Sequence, residues 1–102
     1  LRDRQTMAED GMFVIIATID RQTGKIKNNP DIISRGFIYM KESKELLTEA
    51  RKKVKDIVEH AIIPGAPIDW VYVKDNLRDK IGQFLYSKTR RRPMVLPVII
   101  EV

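Results

Sequence analysis

From Met12 to Ile19 the chain reads MFVIIATI, almost continuously apolar and β-branched. Both alternating sets are hydrophobic: Phe13, Ile15, Ala17 and Ile19 on one side, Met12, Val14 and Ile16 on the other. That pattern predicts a strand covered on both faces. Asp20 to Lys25, DRQTGK, supplies turn formers and a Gly able to take positive φ, which predicts a short hairpin loop. A second strand should run back, break at Asn28-Asn29-Pro30 and resume over Ile32 to Met40, with Gly36 marking a bulge or a close backbone approach.

The period then changes from two to between three and four. Leu46, Leu47, Ala50, Val54, Ile57, Val58 and Ala61 form one stripe behind Ser43, a good N-cap, and predict a helix stopping near Pro64-Gly65. Trp70, Val73, Leu77, Ile81, Phe84 and Leu85 form a second stripe behind Asp69 and predict a helix ending before Pro93. MVLPVIIEV closes the chain as a strand, and Pro97, which has no N–H to donate, assigns it to an edge.

The expected fold is therefore α+β: a three-stranded mixed or antiparallel sheet with two helices packed on one face, in the order ββααβ. The hairpin sets the second strand antiparallel to the first. The helical pair returns the chain, so the third strand runs parallel to the first. The pattern leaves open whether it lies beside the first strand or the second.

Two helices cover only one face of such a sheet, yet both faces are apolar. In the last strand Met94, Leu96, Val98, Ile100 and Val102 alternate with Val95 and Ile99. The residues expected on the uncovered side are Met12, Val14, Ile16, Val95 and Ile99. Hiding one such side chain is worth about 1.5–3 kcal/mol, against about 4–15 kcal/mol for association. Five or six together can hold a partner, so the surplus face is a candidate interface.

Composition narrows the chemistry. At 102 residues and 11.9 kDa the chain builds one core. Its hydrophobic fraction of 43% is that of an ordered globular protein, and no apolar run approaches the length of a membrane helix or has the layout of a signal peptide. There is no cysteine, which removes thiol catalysis and disulfides and fits a cytoplasmic setting. The one histidine, His60, excludes any centre built from several imidazoles and is expected to interact with a helix dipole.

Gly24-Lys25 does not make a phosphate loop, because Ile19 and Ile26 stand where Gly and Ser or Thr are needed. Asp75 and Asp79 are interleaved with Lys74, Arg78 and Lys80, the pattern of a solvated, salt-bridged face. Trp70 and Phe84 fall on the core stripe, so they and the neighbouring Tyr72 and Tyr86 are not read as a stacking platform.

Of the 19 basic residues, Lys88, Arg90, Arg91 and Arg92 cluster in one run, leaving 15 against 14 acids elsewhere. These four are the candidate RNA contacts. Four neutralised phosphates imply a salt slope of roughly −3 on a single strand. The competing role is structural: cations in the last helical turn satisfy orphan carbonyls and the dipole, or pair with a partner's carboxylates.

The segments PDIISRGFIYMKES and DNLRDKIGQFLYSKTRRRPMVLPVIIEV, preceded by LRDRQTMAEDGM, make the chain similar to the C-terminal domain of the ribonuclease J family over essentially its whole length. On that resemblance residues 1–11 end an interdomain linker and 12–102 are the accessory domain. The absence of a starting Met fits a native chain that continues upstream. The resemblance implies a parent in the metallo-β-lactamase/β-CASP superfamily: a metal-dependent exo- and endoribonuclease of messenger decay and ribosomal RNA maturation. Its zinc ligands lie in an upstream His-x-His-x-Asp-His motif. No catalytic or metal residue can be carried onto this chain, so no cofactor is expected here. The implied partners are the parent's own catalytic core or another subunit in a homo-oligomer, with RNA reached through the parent and no membrane. The alternative is an RNA-contacting module working through residues 88–92.

Overall fold

A computed structural model describes residues 11–36, 43–63 and 65–102. Within them the order is β1 (Met12–Ile19), β2 (Asp31–Arg35), α1 (Ser43–Ala61), α2 (Trp70–Thr89) and β3 (Met94–Glu101). Residues 1–10 of the expected 1–11 linker, the far part of the expected second strand at 37–40 and Pro64 lie outside the described residues.

The sheet has three strands in the order β2-β1-β3. β1 pairs antiparallel with β2 and parallel with β3, which resolves the open choice: the last strand adds beside the first. The α+β class and the ββααβ order follow the sequence pattern. β1, the strand with two apolar faces, is the central one, paired along both edges and covered by helices on one face.

The hairpin loop closes as its residues dictate. Asp20 N–H donates to Lys25 O at 2.9 Å, Gly24 N–H donates to Asp20 O at 2.8 Å, and Gly24 sits at φ 71°. Asn28, at φ 66°, turns the chain before β2.

α1 opens at Ser43 and ends at Ala61, short of the expected stop at Pro64-Gly65. The Asp69 carboxylate accepts the Tyr72 N–H at 3.1 Å and caps α2, as its position predicts. The two helices lie on one side of the sheet and bury Leu46, Ala50, Val54 and Val58 from α1 and Val73, Leu77, Ile81, Phe84 and Leu85 from α2. Against them β1 presents Phe13, Ile15, Ala17 and Ile19, all fully buried.

Gly11 locks the entry to the sheet. Its φ is 87°, and a Cβ there would overlap the Arg35 carbonyl oxygen and the backbone of Gly36, so only glycine fits. Its own carbonyl accepts the Met94 N–H at 3.0 Å, so one residue holds the ends of β2 and β3 together.

Candidate interaction site

The register fixes which side chains share the open face. Met12, Val14, Ile16 and Thr18 of β1 point away from the helices, and their partners in β3 are Met94, Leu96, Val98 and Ile100. Val14 faces Ile33 of β2. Ile33, Leu96, Val98, Ile100 and Val102 are exposed, whereas Met12, Val14 and Ile16 are half-buried by their neighbours. One contiguous apolar surface runs across all three strands with no covering element among the described residues.

Two of the five expected members of this face belong elsewhere. Val95 is opposite Phe13 and 5% exposed in the core, and Ile99 is opposite Ala17 and packs against that core. The hydrogen bonding gives the reason. Met94 N–H donates to Gly11 O and Val102 N–H to Ile19 O, each at 3.0 Å, so the even residues of β3 aim their N–H groups at β1 and their side chains at the open side. The odd set, which includes Pro97 and Glu101, takes the helix side.

The same geometry explains Pro97. At an odd position its missing N–H would have pointed off the sheet, so the ladder to β1 loses nothing and the outer edge loses a donor in mid-strand. The opposite edge is β2, only five residues long. Both edges discourage strand addition, while the face between them stays open.

The basic run sits at the end of α2, where it is held by local contacts. Arg90 takes the left-handed conformation at φ 61°, and its N–H donates to Tyr86 O at 2.7 Å. A non-glycine residue there costs about 1–2 kcal/mol. Its guanidinium lies 5.5 Å from the centre of the Tyr86 ring and that of Arg92 lies 4.5 Å from it. Arg91 N–H donates to Thr89 Oγ1 at 3.1 Å. Lys88 pairs across the helix interface with Glu49 at 3.6 Å.

Tyr86, set aside as a stacking surface on the sequence pattern, is nevertheless the ring on which the arginines of the cluster lie. The visible signal is its spacing of four from Arg90 at a helix end. A shallow cleft beside it is lined by Arg78, Asp79, Gly82, Tyr86 and Arg92. Arg78 is paired with Asp75 at 2.9 Å, and Asp79 is the one carboxylate of the cleft. Gly82 sits in the helix interior, where it costs about 0.5–1 kcal/mol relative to Ala. A Cβ there would meet nothing within 4 Å among the described residues, so none of them requires a glycine at this position.

His60, in the last turn of α1, points its Nδ1 at Asp56 O, 2.7 Å away and one turn back along the helix. Among the described residues no three His, Cys, Asp or Glu side chains converge, so the donors present do not fit a zinc centre. No described helix is long and apolar enough to cross a membrane.

The model for the ribonuclease J C-terminal domain matches residues 1–102. Ribonuclease J 2 of Staphylococcus aureus (strain NCTC 8325 / PS 47) is 47% identical over all 102 residues. Ribonuclease J 2 of Staphylococcus epidermidis (strain ATCC 12228 / FDA PCI 1200) is 47% identical over the same length. The chain spans 18% of each of these relatives. With a family model covering every residue and a fold of the expected class, the chain belongs to the ribonuclease J C-terminal domain family.

Proposed function

We propose that this chain is the non-catalytic accessory domain of a metal-dependent ribonuclease that acts in RNA processing and messenger decay, and that it helps to assemble the enzyme by docking through its open sheet face onto another copy. The single observation that carries the reading is the apolar surface formed by Val14, Ile16, Ile33, Leu96, Val98 and Ile100. Pro97 and the short β2 favour face-to-face docking over strand addition.

The size of the patch explains why such a domain works as part of a larger chain. Strands of this length are about 26 Å long and three span about 14 Å, a footprint of roughly 350 Å². Two copies face to face bury about twice that, well below the roughly 1,200 Å² of a stable standard interface. Such a contact is weak alone. Attached to an enzyme whose subunits meet elsewhere, it works at an effective concentration near millimolar and is occupied. Catalysis belongs to the parent's other domains.

The test is sedimentation of the full-length ribonuclease carrying Val14→Asp with Val98→Asp. The expected outcome is a smaller species with an intact circular dichroism spectrum. An unchanged assembly would overturn the reading.

A further inference from the structure

The charges of α1 are sorted by face. Glu45, Glu49 and Asp56 recur on the side turned to α2, where Glu49 meets Lys88 and Asp56 lines the groove beside Phe84. Lys53, on that same side, lies over the Phe84 ring at 5.4 Å. Lys44, Arg51, Lys52 and Lys55 stand at i, i+7, i+8 and i+11, which a helix gathers into one stripe about 16 Å long on its other side. Unlike Lys88, none of these four side chains has an ion pair or hydrogen bond among the described residues.

The stripe borders a cleft of about 320 Å³ lined, among the described residues, by Asn29, Thr48, Arg51, Lys52 and Lys55. These are three cations and two neutral polar groups, with no carboxylate. Asn28 at φ 66° and the wholly buried Pro30 hold Asn29 in place from one side, and α1 holds the rest from the other. Arg51 is half-buried there and still unpaired, an unfavourable state for a cation. Lys55 also repels Arg51 and Lys52, four and three residues before it on the helix. An anion in the cleft removes both costs. The acids adjoining it in sequence leave it open: Glu59 faces the Ile26 N–H at 3.4 Å, and Asp31 is not among the lining residues.

A row of cations suits a row of phosphates better than a single anion. No aromatic ring lines the cleft among the described residues, so it grips a backbone without stacking bases. No large apolar side chain lines it either, whereas the core of a protein interface is apolar. We propose that Asn29, Thr48, Arg51, Lys52 and Lys55, extended by Lys44, bind the phosphate backbone of RNA without sequence preference, on the helix side of the domain and away from the open sheet face. The choice of RNA among nucleic acids rests on the ribonuclease reading above; the phosphate site does not.

The probes are fluorescein-labelled single-stranded RNAs of about 12 nucleotides, one oligouridylate and one of mixed sequence, read by anisotropy with the 102-residue chain, whose core closes within itself. Equal binding of both is expected at about 50 mM salt, with a log–log salt slope near −3, as four neutralised phosphates imply. Arg51→Gln with Lys55→Gln keeps good helix formers, so affinity should fall about tenfold and the slope shrink by about 1.4 while the fold holds. Lys53→Gln with Lys80→Gln removes the same charge from the α2 side and should cost about twofold at most. Thr48→Glu separates binding from stability: it sets a carboxylate four residues from both Lys44 and Lys52, so the melting temperature holds or rises while RNA affinity falls.

Absence of binding at that salt overturns the proposal, as do equal losses in the two double variants or undiminished affinity in Thr48→Glu. Equal competition by a polyglutamate peptide of matched charge overturns it in favour of an acidic protein partner. Val14→Asp with Val98→Asp should bind RNA as the parent sequence does, so failure of this site and failure of the sheet-docking reading are told apart.

Discussion

The two faces of the one sheet have nearly the same hydrophobicity and opposite fates. On the helix side Phe13, Ile15, Ala17 and Ile19 are wholly buried beneath α1 and α2. On the other side Met12, Val14 and Ile16 are only half-buried among their strand neighbours. Burial, and not residue type, separates a side chain that holds the fold from one available to a partner. A substitution should therefore be read by the parity of its position in the strand.

The largest effect is expected on the helix side. Phe13→Ala removes a fully buried ring and should cost about 3–5 kcal/mol, a large share of the stability of a domain this size, visible as a collapsed denaturation midpoint. Next comes Gly11→Ala, which forces a Cβ into the Arg35 and Gly36 backbone and should loosen β2 and β3 together. Urea unfolding should show it as destabilised by more than about 1 kcal/mol, the penalty expected for a positive-φ glycine alone. The smallest stability change belongs to the open face: Val98→Asp should shift stability by less than about 1 kcal/mol, because the new carboxylate stays in water. Its neighbour Ile99→Asp, aimed at the core, should be clearly worse. If the adjacent pair behaved alike, the contrast between faces would be wrong.

Most of this was legible in the sequence where one physical cause acts alone. The α2 stripe and the Asp69 cap appear where the 3.6 period and capping chemistry place them. The surplus of apolar sheet was readable because residue counts and the number of helices are both in the sequence. The assignment of faces in β3 was not. Both of its sets are apolar, so periodicity cannot choose, and what chooses is the parallel register with β1, a pairing between residues about 80 apart in the chain. The odd set contains Pro97 and Glu101 and still faces the helices, because β3 is at the sheet margin. Cover there fades from buried Val95 to half-buried Ile99 to exposed Glu101. The basic run was evident as charge, but its platform was not, because Arg92 reaches Tyr86 only after the chain has left the helix.

The central claim is that the side of the sheet away from the helices is where this domain meets a second copy. Methyl NMR spectra of the 102-residue chain, followed from about 0.05 to about 1 mM to span a weak interface, test it most directly. The account predicts concentration-dependent shifts at Val14, Ile16, Val98 and Ile100, with Val95 and Ile99 unmoved. Spectra that do not change with concentration, or changes gathered instead at Ile63, just past α1, and Val71 of α2, would contradict it.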